Sequence, residues 1–443
     1  MDTQTAAPSR GRLGIGRGTA LYLGAILGPG VLVLPQLASA AAGPASLLAW
    51  IGLLLLSIPV AITLASLAAR HPDAGGVATF TRLAFGPDAA AIVGWWFYAV
   101  IPIGAVAASF IGTEYLAGIV EMDRTASLAC AAAFIAIAFA TNHAGLRLSG
   151  GAQLILMGLL LALLAAAIAT ALPHLQWANF TPFAPHGAAG VLSAAAVLFF
   201  AFAGWEAATH LAGEFTDPAR QLHRVTALAL IIVTAVYLGL ATATTGVLGP
   251  AAARSPVPLT DLLAYGFGSA AAPITAIVAT VLTLGAMNTF MAGASRLGAA
   301  LARDGAMPRP LAKGGSPGAV PHRSLAVLAT LSATSFAATL YWDLDLDQTM
   351  RATSACLAAV TVLACASAIK LLHGNAAKTT AIIATAFTGI VLIGLGPYLL
   401  VPAIVGAIAL AYLRTRGPGR REPAPATLQG GTTDTPPAIQ GAP

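Results

Sequence analysis

A succession of apolar runs, each about 20 residues long, constrains the fold of this chain more than any other feature. The runs recur from Gly14 to Arg414 with short polar segments between them. A helix of about 20 apolar residues matches the hydrocarbon thickness of a bilayer. In lipid every backbone polar group must be paired internally, which leaves helices or closed barrels. The runs lack the strict alternation of barrel strands, so they predict an all-α integral membrane fold.

The composition excludes an ordinary soluble protein. Hydrophobic residues make up 58% of the chain and charged residues 9%, whereas about 25% charge is usual in a soluble domain. The three cysteines, Cys130, Cys356 and Cys365, lie inside apolar runs without a paired spacing. This pattern predicts small buried side chains rather than disulfides or a metal site. We expect no cofactor and no metal.

We predict about twelve transmembrane helices joined by loops too short to hold a soluble domain. The predicted spans are residues 14–41, 46–69, 90–119, 126–142, 149–172, 189–213, 223–248, 270–297, 323–342, 352–372, 379–396 and 397–414. The predicted organisation is a tail at 1–13, a core at 14–372 with halves 14–172 and 189–372, two C-terminal helices at 379–414, and a tail at 415–443. The last segment is rich in Pro, Gly and Thr and is expected to be disordered.

The positive charges predict the orientation in the membrane. With the N-terminus inside, 19 of the 22 Lys and Arg residues fall on the cytoplasmic side, and only Arg124, Arg254 and Arg351 fall outside. Cytoplasmic loops carry such an excess. The net charge of +6 is therefore a topology signal and does not indicate a nucleic-acid partner. Both termini are expected to be cytoplasmic, in a multi-pass protein of the cell membrane.

Two spans contain helix-breaking sequences at corresponding positions. The first has Gly28-Pro29-Gly30 at its centre, and the sixth has Ala203-Gly204-Trp205-Glu206, 175 positions later. Proline removes a backbone donor and glycine weakens a helix. Two interrupted helices in corresponding positions of two halves indicate a transport site, whose half-helix ends can bind a carboxylate and an ammonium group. A simple proline kink is the alternative for the first span.

Glu206 is the acid that we place well inside a span. A charge at that depth costs at least about 2.5–3.5 kcal/mol, so it is a candidate functional residue. Glu206, His210 and Glu214 follow at steps of four and would share one helical face, which suggests a proton path from the site to the cytoplasm. The alternatives are that Glu206 is a structural carboxyl, that His210 only packs between helices, and that Glu214 caps the inner end.

Four short segments lie in order at predicted helix junctions. They are GAILGPGVLVLP at 24–35, PDAGGV at 72–77, FAGWE and GEFTDPAR within 202–220, and ASR, ARDGAMP and VPHRS within 294–324. Together they resemble the amino acid–polyamine–organocation superfamily of permeases. Further stretches, AGGVA at 74–78 and VIPIG at 100–104 among them, are similar to bacterial methionine and branched-chain amino-acid exporters.

The resemblance implies a fold and a set of binding residues. The fold is a LeuT-like inverted repeat of five plus five helices, with discontinuous helices 1 and 6 and two extra helices. The backbone of Gly28, Pro29 and Gly30 would meet a substrate carboxylate. The backbone around Ala201, Phe202 and Ala203, next to Gly204, would meet its ammonium group, and Trp205 would form a lid or wall of the pocket. Pro29 departs from the family, which usually has Ser or Thr there, so one N–H donor and one hydroxyl are missing at the carboxylate end.

The predicted function is secondary active transport of neutral, apolar amino acids by alternating access. The resemblance favours export, and Glu206 favours coupling to protons. The sequence shows no catalytic constellation at membrane depth, so an enzyme is not expected. The alternatives left open are an uptake permease for another amino acid or amine, a channel, and a membrane sensor without transport.

Overall fold

The computed structural model describes residues 13–72, 75–146, 150–202, 204–209, 212–315 and 319–415. These residues are almost all helical, and the described ranges contain no strand beyond an isolated bridge between Leu13 and Phe215. The α-helices are α1 Ile15–Ile26, α2 Leu34–Ala42, α3 Ser46–Arg70, α4 Val77–Phe85, α5 Pro87–Ala117, α6 Arg124–His143, α7 Gly150–Ala171, α8 Gly187–Phe202, α9 Trp205–Thr209, α10 Pro218–Ala243, α11 Pro258–Phe267, α12 Ala271–Arg303, α13 His322–Tyr341, α14 Leu346–Leu371, α15 Asn375–Gly394 and α16 Leu400–Thr415.

Ten segments among the described residues are long and apolar enough to cross a membrane. The prediction of an all-α multi-pass membrane protein is confirmed. The long helices coincide with the predicted spans to within a few residues at most ends, since apolar run length is a local property of the sequence. The count of about twelve stays a prediction, because the segments of the two interrupted spans are too short to be counted alone.

The first span is interrupted where proline and glycine predict it. Helix α1 ends at Ile26, the short 3-10 helix Pro29–Leu32 follows, and α2 begins at Leu34. Gly28 between them has extended backbone, with φ −85° and ψ −175°. Pro29 has no N–H to continue the α-helical ladder, so the chain leaves the helix before it and re-enters afterwards. The break is therefore a full interruption rather than a kink.

The sixth span is interrupted at the second predicted position. Helix α8 ends at Phe202 and α9 begins at Trp205, with Gly204 in a turn between them; Ala203 lies outside the described residues. The described part of α9 extends from Trp205 to Thr209, and the 3-10 turn Ala212–Glu214 precedes α10. Both interrupted spans thus consist of two half-helices with irregular backbone near the middle of the span.

Packing brings the interrupted spans together in the core. Helix α1 packs on α10, α7 and α9, while α2 packs on α8. Helix α3 lies between α8 and α10, and α14 packs on α5, α8 and α15. The half-helices α2 and α8 therefore contact each other directly, and the half-helices α1 and α9 do the same.

Two short helices lie in segments that the sequence analysis treated as loops. Helix α4 buries Val77, Phe80 and Thr81 against α5 and α14, and α11 packs on α7. Nine or ten residues are too few to span a bilayer, so hydrophobic length did not reveal them. The predicted tails at 1–13 and 415–443 lie, apart from their residues 13 and 415, outside the described residues.

Candidate functional site

The two helix interruptions touch through their backbones. A Cβ atom added to Gly204 would lie 2.6 Å from Ala25 O and 2.8 Å from Ile26 Cα. Such distances are too short for any side chain, so only glycine permits the crossing. The sequence predicted the two breaks, and the structure brings them into contact at the end of α1.

The carbonyl ends of α1 and α8 meet at one tyrosine hydroxyl. Tyr237 of α10 is buried, and its Oη lies 3.2 Å from Ala201 O and 3.4 Å from Ile26 O. The last carbonyls of a helix have no partner within the helix, and the single hydroxyl proton of Tyr237 can serve either carbonyl of this pair. The rings of Trp50 and Phe202 pack on Tyr237, with centroids 5.0 and 5.7 Å from it. The sequence does not single out Tyr237, because its role arises only from the way α10 packs beside the two interruptions.

At the predicted binding position of the substrate carboxylate, there is open space beside Gly28, while the ring of Phe200 covers Gly30. A Cβ added to Gly28 would meet no atom within 4 Å, and the backbone of Gly28 does not require glycine. A Cβ at Gly30 would lie 2.7 Å from the ring of Phe200 on α8. Pro29 offers no N–H, and Gly30 lies in the first turn of a 3-10 helix, where amides lack an intrahelical acceptor. The structure thus leaves space at Gly28 and places Phe200 over Gly30.

The predicted residues of the second interruption are buried but point in different directions. Ala201 supplies its carbonyl to Tyr237, and the Phe202 ring lies 6.3 Å from Trp50. Trp205 lines a small cavity of about 10 Å³ between α3, α8, α14 and α15, about the size of one water. The cavity is lined by Leu53, Ser57, Val60, Phe199, Phe202, Trp205, Thr361 and Phe387. No residue of the first interruption lines this cavity. The Trp205 side chain therefore points toward α3, α14 and α15 rather than over the first break.

Glu206 is fully buried at the start of α9. Its carboxyl contacts Thr361 Oγ1 of α14 and lies near the backbone amides of Gly204 and Glu206 and the thiol of Cys365. Among the described residues no ion pair includes Glu206. A carboxyl group without a cation in an apolar interior is favoured as the neutral acid unless hydrogen bonds stabilise its charge. Such a group can take up and release one proton.

The proton path from Glu206 through His210 to Glu214 stays a prediction, but its last member does not have the expected local geometry. Glu214 lies in the 3-10 turn Ala212–Glu214 rather than in an α-helix. Its side chain is exposed, and its carbonyl accepts a hydrogen bond from Leu13 N at 3.0 Å. The predicted shared face needs an unbroken α-helix from 206 to 214. His210, the middle member, lies outside the described residues.

The described residues contain no group of three or more His, Cys, Asp or Glu side chains arranged to hold a metal ion. The three cysteines are free thiols, and Cys356 and Cys365 are buried. The chemistry available at the interruptions is therefore hydrogen bonding from backbone ends, an apolar wall and one protonatable carboxyl.

Comparison with known proteins identifies the family. The profile of a family described as amino acid permease matches residues 14–413, nearly the whole chain. This chain belongs to the amino acid permease family. Its members are transporters and not enzymes, so the prediction that the chain is not an enzyme is confirmed, as is the resemblance to permeases.

Individual relatives of this permease differ in what is known of them. An uncharacterized amino acid permease, YecA of Bacillus subtilis, is 32% identical over 402 residues, covering 90% of this chain and 95% of that protein. The L-methionine/branched-chain amino acid exporter YjeH of Escherichia coli is 34% identical over 235 residues, 51% of this chain and 54% of YjeH. The branched-chain amino acid permease BcaP of Bacillus subtilis is 29% identical over 315 residues, 67% of this chain and 68% of BcaP.

Proposed function

We propose that this permease exports neutral, apolar amino acids such as methionine or the branched-chain amino acids, by alternating access coupled to protons. The observation that carries the proposal is the buried carboxyl of Glu206, without a cation partner among the described residues, two positions after the Gly204 crossing of the two interruptions. A protonatable group so close to the point where the interrupted helices touch is placed to link its charge to their movement.

The backbone ends at the crossing suit the two charged groups of an amino acid. We assign the carboxylate to the amides around Gly28 and Gly30, where a half-helix begins. The ammonium group falls to the carbonyls of Ile26 and Ala201, whose oxygens lie 3.4 and 3.2 Å from the Tyr237 hydroxyl. Ala203 and Gly204 would complete this end of the site. Carbonyl dipoles at a helix C-terminus favour a cation.

The wall of the site favours an apolar side chain. Phe200 covers Gly30, and Phe202 and Trp50 pack around Tyr237. An uncompensated charge on a substrate side chain would be costly in this environment. The names of the exporter YjeH and the permease BcaP both specify apolar amino acids as substrates, which supports the same substrate class here. The name of YjeH also supports export as the direction of transport.

The charge distribution supports an inside location for both chain ends in the cell membrane. With the N-terminus inside, 19 of the 22 Lys and Arg residues fall on the cytoplasmic side of the predicted spans, in keeping with the excess of positive charge in cytoplasmic loops. The coupling proton would then enter or leave through the inner half of the sixth span, which contains Glu206.

The test uses purified permease in liposomes loaded with labelled methionine or leucine. Efflux and counterflow are followed with and without a pH gradient, for the wild type, Glu206→Gln and Glu114→Gln. Glu114 is an exposed acid on α5 and serves as the matched control. In the wild type and in Glu114→Gln the net movement should follow the pH gradient. Glu206→Gln should retain counterflow but lose the response to the gradient, because a neutral amide cannot carry the proton.

Two outcomes contradict separate parts of the proposal. If folded protein moves no neutral amino acid under any gradient, the substrate class is wrong, and amines or charged amino acids become the substrates to screen. If Glu206→Gln follows the pH gradient as the wild type does, another group or another ion performs the coupling.

A further inference from the structure

The hydroxyl of Thr361 makes two contacts with one proton. Its Oγ1 lies 2.8 Å from the carbonyl oxygen of Leu357, one turn back on α14, and also contacts Oε1 of Glu206. Thr361 is buried. A threonine hydroxyl has a single O–H to donate and two lone pairs to accept with. It therefore cannot donate to both oxygens at once, and which one receives the proton depends on the charge of Glu206.

Counting protons gives one arrangement for each state of the carboxyl. An ionised Glu206 can only accept, so the Thr361 hydroxyl must then point its proton at Oε1. A protonated Glu206 can donate to Thr361 Oγ1, and the hydroxyl proton then points at the Leu357 carbonyl. That carbonyl already accepts the amide of Thr361 in the α-helix, so it is not left without a partner when the hydroxyl turns away. No heavy atom has to move between the two states.

We propose that Thr361 is a positioning residue that keeps Glu206 hydrogen-bonded in both protonation states, by rotating one hydroxyl proton between Leu357 and Glu206. The proposal rests on the proposed function, in which Glu206 is the group that carries the coupling proton. It adds a second side chain, on a different helix, to the proton site. It also predicts that α14 senses the charge of Glu206, because one hydroxyl of α14 has a different partner in each state.

The surroundings of Glu206 leave this role to Thr361 among the described residues. Helix α14 also presents the Cys365 thiol, one turn further on. The titratable residues of the other neighbouring helices face elsewhere: Tyr22 of α1 packs on Phe215, and Arg70 ends α3 beside His373. Helix α8 carries no titratable side chain, and α15 has only Lys378, near its first turn. His210 lies outside the described residues.

The experiment compares Thr361→Val, which keeps the shape and removes the hydroxyl, with Thr361→Ser, which restores a hydroxyl. Thr353→Val is the matched control, because Thr353 is buried on the same helix and bonds the carbonyl of Thr349 at 2.9 Å, with no acid beside it. Methionine or leucine counterflow is measured in liposomes at equal pH on both sides, across a range of pH values. The glutamate variant Glu206→Gln is measured in parallel.

In Thr361→Val the midpoint of the pH dependence should move to higher pH by about one unit, since the ionised carboxylate loses a charge-assisted donor. Thr361→Ser should restore the wild-type midpoint, and Thr353→Val should never depart from it. A pH dependence that arises from His210 would persist in Glu206→Gln. If Thr361→Val matches the wild type while Glu206→Gln has lost the pH dependence, the role of Thr361 is overturned and that of Glu206 stands. If Glu206→Gln keeps the pH dependence, the proposed function fails first.

A second measurement does not depend on transport. Infrared difference spectra of the purified permease between acid and alkaline pH should show a carboxylic acid C=O band that Glu206→Gln removes. Thr361→Val should shift this band, because the neutral acid loses its acceptor, and Thr361→Ser should not. A band that is identical in the wild type and Thr361→Val would overturn the proposal even if the valine variant transports poorly.

Discussion

Three glycines at the interruptions are there for different physical reasons. Gly204 is required because the backbone of Ala25 and Ile26 occupies the position of its Cβ, and backbone cannot yield as a flexible side chain does. Gly30 is required by the ring of Phe200. Gly28 has neither a steric nor a conformational reason in this structure, which fits its proposed place beside a bound ligand.

Alanine at two of these glycines should therefore separate folding from binding. Gly204→Ala should destabilise the protein by about 1–3 kcal/mol through overpacking and lower its thermal unfolding temperature in detergent. Gly28→Ala should leave that temperature unchanged and weaken substrate binding, because the new methyl group enters the space proposed for the substrate carboxylate. Thermal unfolding and the substrate concentration for half-maximal counterflow measure the two effects.

The pair of alanine variants contains its own control. Each adds one methyl group to a glycine in the centre of an interrupted span, so lower helix flexibility is common to both. Equal loss of stability in the two variants would contradict the crossing described at Gly204. Unchanged binding in Gly28→Ala would remove Gly28 from the site.

Residues that break a helix could be recognised from the sequence, while residues that act through packing could not. Pro29, its flanking glycines and Glu206 are exceptional in any apolar run, whatever surrounds them. Tyr237 and Thr361 are ordinary residues of their helices, and their roles arise only because α10 and α14 bring them to the interruptions. The direction of the Trp205 side chain likewise depends on how α8 and α9 are rotated about their axes. The local sequence does not determine that rotation.

At the scale of elements, the half-helix α8 is tied to α14 at the end remote from Glu206. Arg351 of α14 forms an ion pair with Asp347 at 2.6 Å and donates to Ser193 Oγ of α8 at 3.1 Å. The Arg351 side chain is 12% exposed and that of Asp347 is 30% exposed. Screening by water is therefore weaker here than for a surface pair, and the tie stabilises the packing of α8 on α14.

Removal of this arginine should cost more than removal of the serine it contacts. Arg351→Ala leaves the half-buried carboxylate of Asp347 without its partner and should destabilise the protein by about 1–3 kcal/mol. Ser193→Ala removes one hydrogen bond and should cost about 0.5–1.5 kcal/mol. Both are measured by thermal unfolding in the same detergent. A serine variant less stable than the arginine variant would mean that the ion pair contributes little.

The half-helices α1 and α9 are also joined, by segments that the sequence did not predict to meet. Leu13 pairs with Phe215, and a Cβ on Gly18 would lie 2.4 Å from the Phe215 ring. The start of α1 and the segment after α9 therefore form one packed unit. The assumption of a regular helix through Glu214 failed here, because a chain that turns to pair with Leu13 cannot keep α-helical spacing.

On the scale of the whole molecule, the helix series followed from hydrophobic length, while the orientation predicted from charge stays a prediction. The first is a property of each run alone, which is why the long helices agree with the sequence within a few residues. The pairing of half-helices, the short helices α4 and α11 and the cavity behind Trp205 depend on contacts between distant segments, and single-sequence patterns do not encode these.

Thiol labelling can test the predicted orientation. In a variant whose three cysteines are replaced by alanine, Ala376→Cys and Ala178→Cys place one exposed thiol at each side of the membrane. A membrane-impermeant maleimide added to intact cells should label the cysteine at 178 and spare the cysteine at 376, since the charge distribution places 376 inside.

Broken cells supply the control for that experiment, because both positions should then be labelled. The reverse pattern in intact cells would invert the proposed orientation and, with it, the direction assigned to transport. Labelling of both positions in intact cells would place the two sites on the same side. That result would contradict the five membrane crossings predicted between them.

The crossing at Gly204 has a consequence for how such a protein can diversify. Contact between two backbones depends on Gly204 and not on the side chains around it, whereas the side-chain end of the proposed site is formed by other residues. Mutations at Phe200 or Trp50, in the proposed wall of the site, can therefore change which amino-acid side chain is accepted while the backbone crossing is kept. Proteins that share this crossing can therefore evolve new substrate specificities by single substitutions, while the contact between the two interrupted helices stays the same.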